Sequence, residues 1–148
     1  MPTPPTPKIT PLTEADRKRM RKQRAAVEKY LANADSKQRF TTTMGKLGTI
    51  RALLQALALH REQTSELQCL GVVLGDTFVH EFGMEWIMVE DDHGQTPAVQ
   101  LPGTTMILFP LTMICKRSEG DDHIDVYELF KEVATQVDEL QQQGTRDS

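Results

Sequence analysis

Cysteine is scarce in this 148-residue chain: Cys69 and Cys115 are the whole supply. A disulfide framework is therefore implausible and a reducing cytoplasm is the default setting. Two thiols alone cannot complete a structural zinc site, which takes four ligands. Both are read as small buried hydrophobes. Long apolar runs are missing as well. None approaches the roughly 20 residues that a membrane-spanning helix needs. The lead MPTPPTPKITPLT has no hydrophobic region of the kind a signal peptide carries. Residues 1–12 are rich in Pro and Thr, so they are expected to be disordered or extended, each proline removing a donor and fixing φ.

What remains is ordinary globular composition, 39% hydrophobic and 26% charged, at a length that suits one domain. The net charge of -4 conceals an asymmetry, because residues 1–40 carry ten Lys or Arg against four acids while residues 41–148 carry seven against seventeen. The basic part is concentrated in RKRMRKQR, with Arg17, Lys18, Arg19, Arg21, Lys22 and Arg24. Tyr30 is the one aromatic near this run, and the chain's pI is 5.6. Both facts argue against nucleic acid as the partner. A solvated helix face, or one leaning on the acidic body, is the simpler account of the run.

Periodicity sets out the elements. Thr13 followed by Glu14 and Asp16 marks a helix start, and Met20, Val27, Leu31 and Ala34 give that helix a thin apolar stripe to about residue 34. A second helix is expected over residues 46–60, with Leu47, Ile50, Leu54 and Leu57 on one face. A third runs from Thr64 to a Gly83 stop, with Leu67, Leu70, Leu74 and Phe78 in line, and should be central. Gly71 and Gly75 lie four apart on its side. Each costs the helix about 1 kcal/mol relative to alanine, so another element is expected to press against the backbone there.

After Gly83 the pattern turns extended: Trp86–Val89, a polar break at DDHG with Gly94 free to take positive φ, Ala98–Leu101, then Thr105–Phe109. Pro110 should end the third strand, after which PLTMICKR reads either as a short helix whose last turn holds Lys116 and Arg117 or as an edge strand continued past a kink. Asp125 and Glu128 form a capping box for a last helix to about Gln142, faced by Val126, Leu129, Phe130, Val133, Val137 and Leu140. The expected fold is α+β: a three-stranded antiparallel sheet packed on one face by helices, with an N-terminal basic helix. Residues 13–142 form the single domain and residues 143–148 a flexible tail. Helices covering the sheet in this way should leave no room for a reactive cleft.

Recognisable chemistry is sparse. His80-Glu81 lacks the second histidine four residues on that a zinc protease needs, because position 84 is Met. The turn residues Asp91, Asp92 and His93 could join Asp121, Asp122 and His123 in an acidic, imidazole-bearing patch only if the two loops were adjacent, and no calcium-loop spacing is present. No nucleophile elbow, phosphate loop or dinucleotide fingerprint occurs. No catalytic residue, metal ligand set or cofactor is assigned.

The stretch LGVVLGDTFVHEFGMEWIMVEDDHGQTPAVQLPGTTMILFPLTMICKR resembles a family of small bacterial domains of unknown function. The resemblance rests on an LGxxLG helix (Leu70, Gly71, Leu74, Gly75), the Trp86 strand, a D-x-x-G turn (Asp91, Gly94) and the segment Phe109, Pro110, Thr112, Met113, Ile114, Lys116, Arg117, and it spans about residues 45–135. It implies membership but no activity. Its pairing of Pro110 with Lys116 and Arg117 suggests a segment end at which Arg117 clasps an acid of the hairpin.

Two functions lead on these grounds, with nucleic-acid binding through the basic first helix as a third. One is a small cytoplasmic protein-interaction module without catalytic activity, an immunity- or adaptor-type protein whose acidic surface masks a more basic partner. The other is a ligand- or metal-binding domain, conceivably a hydrolase, with Asp91, Asp92, His93, Lys116 and Arg117 around a pocket between the hairpin and PLTMICKR. A protein partner, no membrane and an open oligomeric state complete the expectation.

Overall fold

The computed structural model describes residues 7–31, 33–56, 64–92, 94–117 and 126–146. Among them the order is β1 (Lys8–Pro11), α1 (Glu14–Glu28), α2 (Ala34–Arg39), α3 (Thr43–Ala56), α4 (Thr64–Phe82), β2 (Glu85–Asp91), β3 (Gly94–Gln100), β4 (Ile107–Leu108), α5 (Pro110–Arg117) and α6 (Val126–Arg146). The class is α+β, as the sequence predicts. The sheet, however, has four strands and not three, in the order β1-β2-β3-β4, all antiparallel.

The additional strand comes from the proline-rich lead. Residues Lys8 to Pro11 pair with Glu90 to Ile87 of β2. They carry no buried side chain and no alternation of their own. Their extended state is imposed by the open edge of β2, and an edge strand tolerates proline at its end. Pro97 of β3 is placed on similar terms: β4 covers only Val99 and Gln100, so Pro97 lies on a part of β3 that β4 does not reach.

Helix α4 is the hub, since α1, α3 and α5 all pack on it and α6 reaches α3. Leu67, Leu70, Val73, Leu74 and Phe78 of α4 enter the main core with Leu47 and Ile50 of α3, Val99 of β3, Ile114 of α5, and Val126, Leu129, Val133 and Val137 of α6. Phe82 stacks on Phe130 at 5.2 Å between ring centroids, joining α4 to α6. Gly83 takes φ 68° and ends α4, its N–H donating to the Val79 carbonyl, and Gly94 takes φ 120° in the hairpin.

The expected notch at Gly71 and Gly75 is filled from two directions. A Cβ on Gly71 would stand 2.5 Å from the Cα of Leu111, so the backbone of α5 lies directly on α4. A Cβ on Gly75 would overlap the ring of Trp86 and meet Pro110 Cγ at 3.1 Å. Pro110 is buried as the first residue of α5, which is the helical reading of PLTMICKR.

Several boundaries differ from expectation. Helix α1 stops at Glu28 rather than near residue 34, because Asn33 begins a new helix there, accepting a bond from Ser36 N–H at 2.8 Å. That helix, α2, buries no residue and so leaves no apolar period to read. Helix α6 runs to Arg146, past the expected end at Gln142. Leu57, Asp125 and their expected roles lie outside the described residues.

Two local predictions follow from satisfied and unsatisfied polar groups. Thr13 and Asp16 form a reciprocal capping box at α1, Thr13 N–H donating to Asp16 Oδ2 at 2.9 Å and Asp16 N–H to Thr13 Oγ1 at 3.1 Å, with Arg19 paired to Oδ1 at 2.7 Å. The bonds from Thr13 hold the Asp16 carboxyl below its ordinary range, and Arg19 adds to them. A carboxylate depressed on folding contributes stability that is present above its unfolded value, about 4, and is lost as pH falls through the folded value. Asp16→Asn is expected to reduce the loss of stability on acidification below that range, as read by denaturant titrations at several pH values. Thr43 Oγ1, by contrast, is buried with no hydrogen-bond partner among the described residues. Thr43→Val is expected to raise stability by about 1 kcal/mol, because it removes an orphaned hydroxyl of equal size.

Candidate functional site

Helical spacing divides the basic run of α1 into two faces. Arg17, Arg21 and Arg24 recur at intervals of four and three on the side that also carries Met20, a buried residue. Lys18, Arg19 and Lys22 are exposed and do not face the same space. The inward set lines a cleft of about 790 Å³ whose other walls are Ile9 and Leu12 of the N-terminal arm and Met84, Glu85 and Trp86 at the start of β2.

The origin of the cleft is topological. Pairing of β1 with β2 ends at Pro11 and Ile87, after which Leu12 and the Thr13 cap turn the chain into α1. The first residues of β2 are left without β1 beside them, and α1 is held above the gap. Leu12, Met20, Val72, Leu111 and Trp86 pack together beneath it.

One contact fixes the height of α1. Arg24 donates from Nε to Asp76 Oδ2 at 2.6 Å and from an Nη nitrogen to Oδ1 at 2.8 Å, a bidentate pair across 52 positions of sequence. Trp86 donates its indole N–H to the same Oδ1 at 3.1 Å. Side chains of Arg24 and Asp76 are 31% and 19% exposed, so the pair is partly shielded from water. This contact gives definite form to the expected leaning of the basic helix on the acidic body. It also consumes the charge of Arg24.

Arg17 and Arg21 remain. Among the described residues no carboxylate lies within ion-pair reach of Arg17, and Arg21 has only Glu14 at 4.0 Å, both side chains mostly in water. Such a contact contributes little. Ile9, at 46% exposure, is a large apolar side chain left open at the same cleft. The site thus offers two uncommitted guanidinium groups beside an apolar wall, with Glu85 the carboxylate at its edge.

A second cavity of about 530 Å³ lies between Val27 and Tyr30 of the α1 end, Leu53 of α3, and Glu66, Cys69 and Leu70 of α4. Burial pushes the Cys69 thiol up, and the neighbouring Glu66 pushes it further. The thiol therefore stays protonated at neutral pH, which fits its reading as a small hydrophobe.

The residues first considered for binding fare differently. Asp91 and Asp92 stand exposed at the tip of the β2–β3 hairpin, and neither lines either cavity. His93, Asp121, Asp122 and His123 lie outside the described residues, as do the side chains of Lys116 and Arg117 at the end of α5. Of the basic patch, Arg17, Arg21 and Arg24 come together with Trp86, while Lys18, Arg19 and Lys22 do not. The three-stranded expectation leaves out the wall that β1 supplies to this cleft, whose ionisable lining among the described residues is Arg17, Arg21, Arg24 and Glu85.

A family model described as a domain of unknown function (DUF3806) matches residues 46–130. No curated protein matches the chain. Among solved structures, a crystal structure from Bacteroides thetaiotaomicron VPI-5482 aligns with a TM-score of 0.60 at 13% identity, covering 85% of this chain and 47% of that one. The likeness is one of fold, and the chain spans about half the length of that protein. Asp76, Trp86 and both notch glycines fall inside the family-matched stretch, whereas Arg17, Arg21 and Arg24 precede it.

Proposed function

The chain belongs to the DUF3806 family of unknown function, and from that premise and the cleft geometry we propose that it is a small bacterial, cytoplasmic protein-interaction module of the adaptor or immunity type, without catalytic activity of its own. The observation that carries the reading is the pair of uncommitted arginines beside an exposed isoleucine and a half-buried tryptophan in one cleft. Guanidinium groups stay charged and donate hydrogen bonds in a fixed fork, which suits them to recognition and not to proton shuttling. Apolar walls beside charged rims are the anatomy of a docking surface. On this reading the docking surface is the basic-rimmed cleft, in place of the acidic surface and the more basic partner expected from the sequence.

The division of labour within the cleft supports this reading. The family-matched stretch supplies the floor, through Asp76 and Trp86, and the preceding arm supplies the charge. A partner reading charge would therefore read the arm. Affinity copurification of the full chain from its own cells tests the proposal. Wild type is expected to retain a stoichiometric protein partner that Arg17→Glu/Arg21→Glu loses and Asp91→Asn/Asp92→Asn keeps. Loss with the hairpin variant and retention with the arginine variant would contradict it.

A further inference from the structure

We infer that the occupant of the cleft is an acidic, extended segment of another protein, with two carboxylates two residues apart and an apolar side chain two residues beyond; the inference rests on the interaction reading above. Arg17 and Arg21 are one helical turn apart on α1, which places their Cβ atoms about 5–6 Å from each other. In an extended chain, residues i and i+2 point the same way and stand about 6.6 Å apart. Two carboxylates at that spacing meet the two guanidinium groups together, one each. The apolar surface the cleft offers to the next side chain of the same parity is exposed Ile9 and half-buried Trp86.

Charge complementarity selects against the other occupants. A basic segment would face Arg17, Arg21 and Arg24, and among the described residues the carboxylates near them are Glu85, at the cleft, and exposed Glu14, 4.0 Å from Arg21, since Asp76 is already engaged with Arg24 and Trp86. A nucleic acid would meet the same arginines, but its extended phosphate backbone would have to run past a body that carries ten more acids than bases over residues 41–148. A short acidic peptide touches the cleft alone and avoids that repulsion. Because Arg24 is held by Asp76, the two free arginines are presented on a fixed helix, and little ordering is left to be done on binding.

Trp86 is the chain's single tryptophan and lines the cleft, so its emission reports occupancy directly. The probes are five: a synthetic peptide with the acid–x–acid–x–apolar pattern, a peptide of the same composition with its acids on alternating faces, neutral and basic versions of the first with Gln or Lys in place of its acids, and a single-stranded oligonucleotide. The full-length chain is expected to bind the first with a saturable change in Trp86 emission, and the scrambled peptide about tenfold more weakly. Arg17→Ala/Arg21→Ala is expected to weaken binding by about tenfold or more, and Lys18→Ala/Lys22→Ala by less than about threefold. All four residues are exposed, so folding of the variants is checked by unchanged thermal midpoints. Equal loss in the two variants would reduce the binding to general charge attraction and overturn the inference, and so would a tighter, arginine-dependent complex with the oligonucleotide. If a neutral or basic peptide perturbs Trp86 and the acidic one does not, the acidic assignment falls while the interaction reading survives. If no peptide perturbs Trp86, both fall.

Discussion

Gly71→Val is expected to lower the stability of the protein by about 3 kcal/mol, the combined effect of overpacking and β-branching in a helix. Removing a glycine from a helix interior ordinarily adds stability, about 1 kcal/mol for alanine. At this position the gain is outweighed. The first added carbon already meets the Leu111 Cα at 2.5 Å and its backbone nitrogen at 3.0 Å. That obstacle is main chain, so it cannot rotate away as the end of a side chain could. Moving α5 would also move Pro110, which is buried beside Gly75 and Trp86. Urea titration measures the effect as a shift of midpoint at constant slope. Gly71→Ala, with one carbon instead of three, is expected to fall between wild type and valine. Neutral behaviour of both would contradict the close seating of α5 on α4.

The second large effect is expected at Asp76. Its carboxylate accepts three hydrogen bonds, two from Arg24 and one from Trp86. Asp76→Ala leaves a half-buried guanidinium and an indole N–H without their acceptor, a loss of about 3 kcal/mol, near the lower end for breaking a shielded pair because both side chains keep some contact with water. Arg24→Ala should cost less, since Asp76 keeps the Trp86 indole N–H as a donor, whereas Asp76→Ala leaves two donors without an acceptor. The double variant isolates the pair, and a coupling of about 1–3 kcal/mol is expected for residues in direct bidentate contact. A coupling near zero would mean that α1 is held by Met20 and Val27 alone, both buried at its inner face.

The parts of this fold that are legible in the sequence are those that carry their own physical signal. Helices α4 and α6 repeat apolar residues at helical intervals, and those residues are the ones buried. Pro110 marks the end of β4 but leaves helix and edge strand open for the segment that becomes α5, while Gly83 and Gly94 take the positive φ that only glycine adopts without strain. Strand β1 has no such signal. KITP has two residues of low strand preference and an exposed isoleucine, and its conformation is decided by the edge it joins. Helix α2 fails for the related reason that nothing in it is buried.

The candidate site was half visible. The basic run stands out at once, but composition presents it as one patch. Counting by helical turns separates Arg17, Arg21 and Arg24 from Lys18, Arg19 and Lys22, and Met20 on the inner side marks which set faces the body. The acceptor for Arg24 could not be found in this way, because Asp76 is 52 residues distant and is one acid among many. The attention given to the acidic hairpin came from composition. Composition does not say which charges share a cavity.

Recognition of a partner through the cleft between α1, β1 and the start of β2, as proposed above, is read from backbone amide chemical shifts of the full chain, recorded with and without the acid–x–acid–x–apolar peptide. The largest changes are expected at residues 9–12, 17–24 and 84–87, with the Trp86 indole N–H among them. Changes concentrated instead at residues 90–94 and 113–117, with residues 17–24 unmoved, would contradict it.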